Sequence, residues 1–242
     1  MKFFELLNPD GAIVIDDNFK NIELLDHFPL SACTFYPNHL SQNHGSYSLL
    51  RTNPKVTLIG ISLNGLNGVS RFGFTADNTG ISFYDSHSGI DNIGILPVKR
   101  DDIANTAHVY LFGFGDDSPT EHGTGLEICN AEGKIIYSSA KRYLDVLGCG
   151  SGKNETVQMN GTTIAFVLGT DHVTKIYENH KVGAKGVEYD RYPRFTVNEN
   201  SITVGMIEAR TIYTTDDDPP LGWHLIYHCY YNFGWLIGNV VI

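Results

Sequence analysis

The sequence has no closely spaced cysteine pair, little methionine, no stripe of basic residues and no long apolar run. Its four cysteines, Cys33, Cys129, Cys149 and Cys229, lie far apart. A Cys-x-x-Cys metal or redox motif is therefore excluded, and free, mainly buried thiols in a reducing compartment are expected. With 17 Lys plus Arg against 27 Asp plus Glu, the net charge is −10 and the cations are scattered. Binding to a phosphate backbone is disfavoured: the 13 Tyr and 13 Phe could stack bases, but no positive groove accompanies them. No stretch reaches the roughly 18 apolar residues of a membrane helix. The apolar opening Met1 to Leu7 is cut by Pro9-Asp10-Gly11 too early for a secretory segment. A soluble, non-exported chain without membrane insertion is the expectation. Helical periodicity is nowhere sustained for three turns, and each of the 25 glycines would cost about 1 kcal/mol inside a helix.

What the chain does contain is aromatic and β-branched runs cut by Gly and Asn, together with an internal repeat. Phe4-Glu5-Leu6-Leu7-Asn8-Pro9-Asp10-Gly11-Ala12-Ile13-Val14-Ile15 aligns with Leu126-Glu127-Ile128-Cys129-Asn130-Ala131-Glu132-Gly133-Lys134-Ile135-Ile136-Tyr137 at an offset of 122 (127 − 5). Each copy reads as a β-hairpin around a turn of the pattern Asn-x-acid-Gly. The side chain of Asn8 or Asn130 bonds to the backbone two residues on, and Gly11 or Gly133 supplies a left-handed dihedral. These four residues are assigned as structural turns. A third apolar run follows at the same offset, Ile22-Glu23-Leu24-Leu25 and Leu144-Asp145-Val146-Leu147, and is expected to extend each hairpin to three strands.

Further strands are expected at 55–63, 71–75, 80–84 and 108–114 in the first half, and at 162–168, 173–177, 201–213 and 224–237 in the second. The fold class that follows is all-β, with two related antiparallel β-sandwich-like domains at 1–120 and 121–242.

Candidate chemistry is sparse. His224 and His228 have the spacing of a helical zinc dyad, but their surroundings read as strand, where they would stand about 13 Å apart. Asp216, Asp217 and Asp218 are carboxylates without the spacing of a calcium loop, ended by Pro219-Pro220. Gly148-Cys149-Gly150-Ser151-Gly152-Lys153 lacks the full spacing of a phosphate loop and reads as a mobile glycine-rich loop. No Gly-x-Ser-x-Gly elbow is present. Neither a catalytic residue nor a metal or cofactor is assigned, and the chain is not expected to be an enzyme.

The two hairpin modules, Gly125 to Tyr137 with Asp145-Val146-Leu147, and Phe4 to Leu25 with Gly11 and Ile13-Val14-Ile15-Asp16-Asp17, resemble a motif of small β-rich proteins encoded among the tail genes of tailed bacteriophages. The resemblance implies a virion structural protein of the tail tip or fibre attachment, synthesised in the host cytoplasm. It further implies other tail proteins as partners in a symmetric or homo-oligomeric assembly, and no activity. A reading of a different class is a carbohydrate- or cell-surface-binding module, with Trp223, Tyr227, Tyr230, Tyr231 and Trp235 as candidate platforms.

Overall fold

The structure, a computed structural model, describes residues 5–7, 13–16, 21–38, 41–49, 53–62, 64, 72–77, 79–85, 96–97, 103–104, 106–115, 125–151, 155–159, 161–168, 174–178, 185–214 and 234–241. Before residue 120 the chain forms β1 (Glu5–Leu7), β2 (Ile13–Asp16), β3 (Glu23–Pro29), β4 (Thr34–Asn38), β5 (Ser41–Ser48), β6 (Val56–Ser62), β7 (Phe72–Ala76), β8 (Gly80–Asp85), β9 (Leu96–Pro97) and β10 (His108–Gly113). After it come β11 (Glu127–Cys129), β12 (Ile135–Ser138), β13 (Tyr143–Ser151), β14 (Glu155–Gln158), β15 (Thr163–Leu168), β16 (Thr174–Glu178), β17 (Lys185–Asn198), β18 (Ser201–Thr214) and β19 (Gly234–Val241).

These strands make an all-β fold of several antiparallel sheets, one of them closed into a small barrel in the order β10-β3-β13-β19-β15-β6. A larger sheet runs β14-β18-β17-β7-β8-β5-β4, with β16 on β17 and β9 on β8, and the pairs β1–β2 and β11–β12 stand as separate two-stranded sheets. The barrel takes three strands from each side of residue 120, and the larger sheet also draws on both, so the segments 1–120 and 121–242 share their cores. The third apolar runs, expected to extend the hairpins, instead lead into barrel strands β3 and β13, which pair with each other and with β10 and β19.

Alternation along the strands explains the layers, because successive side chains point to opposite faces. One face of the barrel strands turns inward around Phe112, Ile164 and Phe166, joined by Ile22, Leu24, Leu58, Leu144, Leu236 and Val240. The other face, with Ile61, Val109, Leu111, Ala165, Trp235 and Ile237, packs in one cluster with Phe74, Ile81, Phe83, Phe195, Ile202 and Val204 of the larger sheet. Full burial of each such large apolar side chain contributes roughly 1.5–3 kcal/mol.

Registers repeat between the two sides of the chain. In β1–β2, Glu5 pairs with Asp16 and Leu7 with Ile13, with an irregularity between Leu6 and Leu7. In β11–β12, Glu127 pairs with Ser138 and Cys129 with Ile135, with the irregularity between Ile128 and Cys129. Every one of these positions is shifted by 122 (127 − 5, 138 − 16). Strand β3 skips Leu25 against β10, and β13 skips Leu147 against β19, again 122 apart (147 − 25). Tyr110 pairs with Gly60 and His27, as Leu236 pairs with Phe166 and Cys149.

At three junctions counterpart residues stand opposite one another. Leu144 donates its N–H to the Ile22 carbonyl at 3.1 Å beside the Glu23–Tyr143 pair, and 144 − 22 is the same 122. Phe166 pairs with Gly60 across the β15–β6 seam, which are counterparts through their pairing with β19 and β10. In the larger sheet the Phe195–Phe72 pair sets Gly73 opposite Arg194. Those two are counterparts because the hairpins β7–β8 and β17–β18 share an offset of 121 (197 − 76, 202 − 81).

Candidate functional site

The second turn is built as a side-chain-capped loop. Asn130 Oδ1 accepts the N–H groups of Glu132 and Lys134, each at 3.0 Å. Its backbone N–H donates to the Lys134 carbonyl at 2.9 Å. Gly133 has φ +79 and a Cβ built on it would meet nothing within 4 Å, so what the turn needs there is the dihedral rather than the space. Tyr143 fastens the hairpin to the barrel. Its hydroxyl accepts the Ser138 N–H at 2.7 Å and donates to the Ser138 carbonyl at 3.2 Å, while its ring stacks on Tyr137 with centroids 5.2 Å apart. Burial raises the Tyr143 phenol, with the negative charges of Glu23 and Glu127 adding to the effect. Asn8 and Gly11 lie outside the described residues.

Trp235, assigned to a candidate binding surface, is 1% exposed and belongs to the core. Its ring lies over Gly150, where a Cβ would come within 2.7 Å of it, and near Gly148, where a Cβ would come within 3.7 Å. This corrects the glycine-rich loop: residues 148–151 are strand, part of β13, and Gly150 makes room for the indole. A buried tryptophan offers no ring face to an external sugar. The other candidate platforms, Trp223, Tyr227, Tyr230 and Tyr231, lie outside the described residues, as do His224, His228 and the acidic run Asp216 to Asp218.

The thiols differ from expectation too. Cys33 is buried, which pushes its pKa up, but Cys129 on the hairpin strand β11 and Cys149 on β13 are exposed; Cys229 lies outside the described residues. Among the described residues no group of three or more His, Cys, Asp or Glu side chains could hold a metal ion. No helix described is long and apolar enough to cross a membrane.

One polar cleft of about 450 Å³ opens where the start of β3, the turn before β6, the end of β10 and the β12–β13 turn converge, and Glu23, Asn53, Lys55, Lys141 and Arg142 line it. The Glu23 side chain is largely buried and takes the Lys141 ammonium at 2.8 Å. The carboxylate lies against Gly115, where any Cβ would collide with it. A buried carboxylate held this way is matched by its own cation, and its energetic role is to avoid the several kcal/mol that an unpaired buried charge costs. Among the described lining residues no nucleophile stands beside a base; what they form is the Glu23–Lys141 ion pair, with Lys55 and Arg142 also in the lining. Sequence reasoning missed Glu23, Lys141 and Tyr143 because they are spread over 120 positions (143 − 23) and meet only through the β3–β13 pairing.

No family model, no curated protein and no solved structure matches the chain.

Proposed function

We propose that the chain is a structural protein of a bacteriophage tail, at the tail tip or the fibre attachment, acting through protein–protein contacts and built from two related β units about an internal two-fold axis. The observation that carries the two-unit reading is the set of facing counterparts: Ile22 with Leu144, Gly60 with Phe166, and Gly73 with Arg194. A two-fold axis running through the barrel and on through the larger sheet produces such self-pairings, whereas unrelated halves would meet in this way at three junctions only by coincidence. The hairpin modules supply the functional class through their resemblance to tail-associated proteins.

Mass spectrometry of particles purified from cells that encode the chain tests the reading. The protein is expected in fixed, multiple copies per particle; its absence from intact particles rejects the tail assignment. A glycan-binding screen of the purified protein addresses the carbohydrate-binding alternative, which the burial of Trp235 weakens.

A further inference from the structure

The correspondence between the two sides of the chain breaks at one edge of the larger sheet. Strand β5 pairs with β8 as β14 pairs with β18: Tyr47 faces Ile81 and Val157 faces Ile202. Leu49 donates to the Thr79 carbonyl as Met159 donates to the Asn200 carbonyl, both at 2.9 Å. The offset here is 110 (157 − 47), against 122 in β3 and β13, so the second side is shorter by twelve residues between these elements. The missing residues correspond to the 3-10 turn at Leu30–Ala32 and to β4, and only residues 152–154 separate β13 from β14. Thus β5 carries β4 on its outer edge, and β14, among the described residues, pairs with β18 alone.

The hydrogen-bond alternation of an antiparallel ladder says which groups point outward. Since Met159 bonds toward β18, so do Val157 and Glu155, and the backbone groups of Thr156 and Gln158 face the open edge. Their counterparts Ser46 and Ser48 face Tyr36 and Thr34 of β4. The opposite end of the sheet is protected: in β4 the outward position next to Phe35 is Pro37, which has no N–H to offer. Strand β14 has no such block.

We infer that the β14 edge is a docking site for an extended strand of a partner protein, which adds antiparallel in the place that β4 occupies on β5. This rests on the reading of the two sides as counterparts and of the chain as a protein-binding part. Strand addition of this kind takes affinity from main-chain bonds and specificity from alternate side chains. The β4 template sets those side chains. Phe35 lies over Tyr47 with centroids 5.1 Å apart, so the incoming strand carries an aromatic residue opposite Val157. Two positions further on, where β4 has Pro37, it faces Glu155 and carries a cation. That charge favours a foreign strand over a second copy, because two chains of −10 repel when brought edge to edge.

The probe is a synthetic peptide with the sequence of Ala32 to Asn38 in which Cys33 is serine and Pro37 is lysine, added to the full-length protein. Amide hydrogen exchange at Thr156 and Gln158 should be fast in the protein alone and slow at least tenfold with saturating peptide. Thr156→Pro, which removes the outward N–H together with the exposed hydroxyl contact to Thr203, should lower the melting temperature by a few degrees at most and weaken peptide binding at least tenfold, whereas Thr156→Val, which loses the hydroxyl and keeps the N–H, should bind the peptide as the parent does. The inference is overturned if the peptide protects neither amide, or if Thr156→Pro binds it as the parent does. It is equally overturned if both amides are already protected in dilute protein alone, which would mean the chain covers its own edge. Protection that instead grows with protein concentration would make a second copy the occupant. None of these results alters the particle measurement, so docking and tail assignment fail separately.

Discussion

At the middle of the barrel the first side of the chain places Phe112 and Gly60, and the second side, at the counterpart positions, places Gly238 and Phe166. The two phenylalanines meet edge to face with centroids 5.5 Å apart. The glycines are small for cause. A Cβ on Gly60 would lie 2.6 Å from the Phe166 ring, and one on Gly238 would lie 2.5 Å from Leu144. A six-stranded barrel has room for two rings at this level and not for four. Backbone register can therefore repeat while side-chain volume must alternate, and close packing accounts for the difference between the sides.

Substitution should cost most at Phe166. Phe166→Ala should cost about 3–5 kcal/mol. At about 2–4 °C per kcal/mol for a chain of this size, calorimetry should show the melting temperature fall by roughly 10 °C. Gly60→Ala alone should cost about 1–3 kcal/mol through overpacking. In the double variant Gly60→Ala/Phe166→Ala, the added methyl has lost the ring it struck, and the Ile164 methyl, 2.5 Å from the Cβ position, can move into the space the ring leaves. The double loss should then fall short of the summed single losses by at least about 0.5 kcal/mol; strict additivity would show that Gly60 and Phe166 do not share one space.

A second contrast is between Phe28 and its counterpart Gly150, which face Val109 and Trp235. Gly150→Ala should push the indole aside at a cost of about 1–3 kcal/mol and shift the tryptophan emission, whereas Phe28→Leu should leave that emission unchanged. An unmoved spectrum in Gly150→Ala would contradict the packing of Trp235 over β13.

At the hairpin turn, Gly133→Val is expected to cost about 1–3 kcal/mol in thermal unfolding through its left-handed dihedral, and Gly11→Val a similar amount if the first turn matches the second. Equal melting of both variants and parent, with loss of partner binding, would move these glycines from structure to recognition.

The smallest expected effect separates two turns at counterpart positions. Asp77 Oδ1 accepts the Thr79 hydroxyl at 2.5 Å and the Thr79 and Gly80 amides at 2.7 and 2.9 Å, where the other hairpin has Asn198. The Thr79 hydroxyl, then these amides, hold the Asp77 carboxyl below its ordinary range. A lowered folded pKa stabilises above the unfolded value, near pH 4, and the benefit is lost as pH falls through the folded value. Asp77→Asn should therefore cost at most about 1 kcal/mol at neutral pH, since the group is exposed. The gap to the parent should close in melts below about pH 4; a gap independent of pH would remove the charge from the explanation.

Much of the local structure was legible in the chain. The runs at 55–63, 71–75, 80–84, 108–114, 162–168 and 201–213 each coincide with a strand to within a residue or two, because β-branched and aromatic residues between Gly and Asn turns suit a pleated, half-buried surface. Strands β5 and β14 escaped notice, since Ser41–Ser48 and Glu155–Gln158 are polar and are held by their neighbours rather than by an apolar pattern. The Glu23–Lys141 pair carries no sequence signal, as neither residue type nor spacing announces a contact made across the barrel.

The strand-forming segments, the capped turn at Asn130 and Gly133, and the offset of 122 that relates the two hairpins follow from residue order alone. Those are local properties, set by side-chain alternation and by dihedrals that few residues adopt. The meeting of distant strands settled that the third runs close a common barrel, that Trp235 packs over Gly150, and that β14, among the described residues, has no strand in the place that β4 takes on β5. Each of these depends on which distant backbones meet and on how much volume remains between them, and neither quantity is written within any one segment.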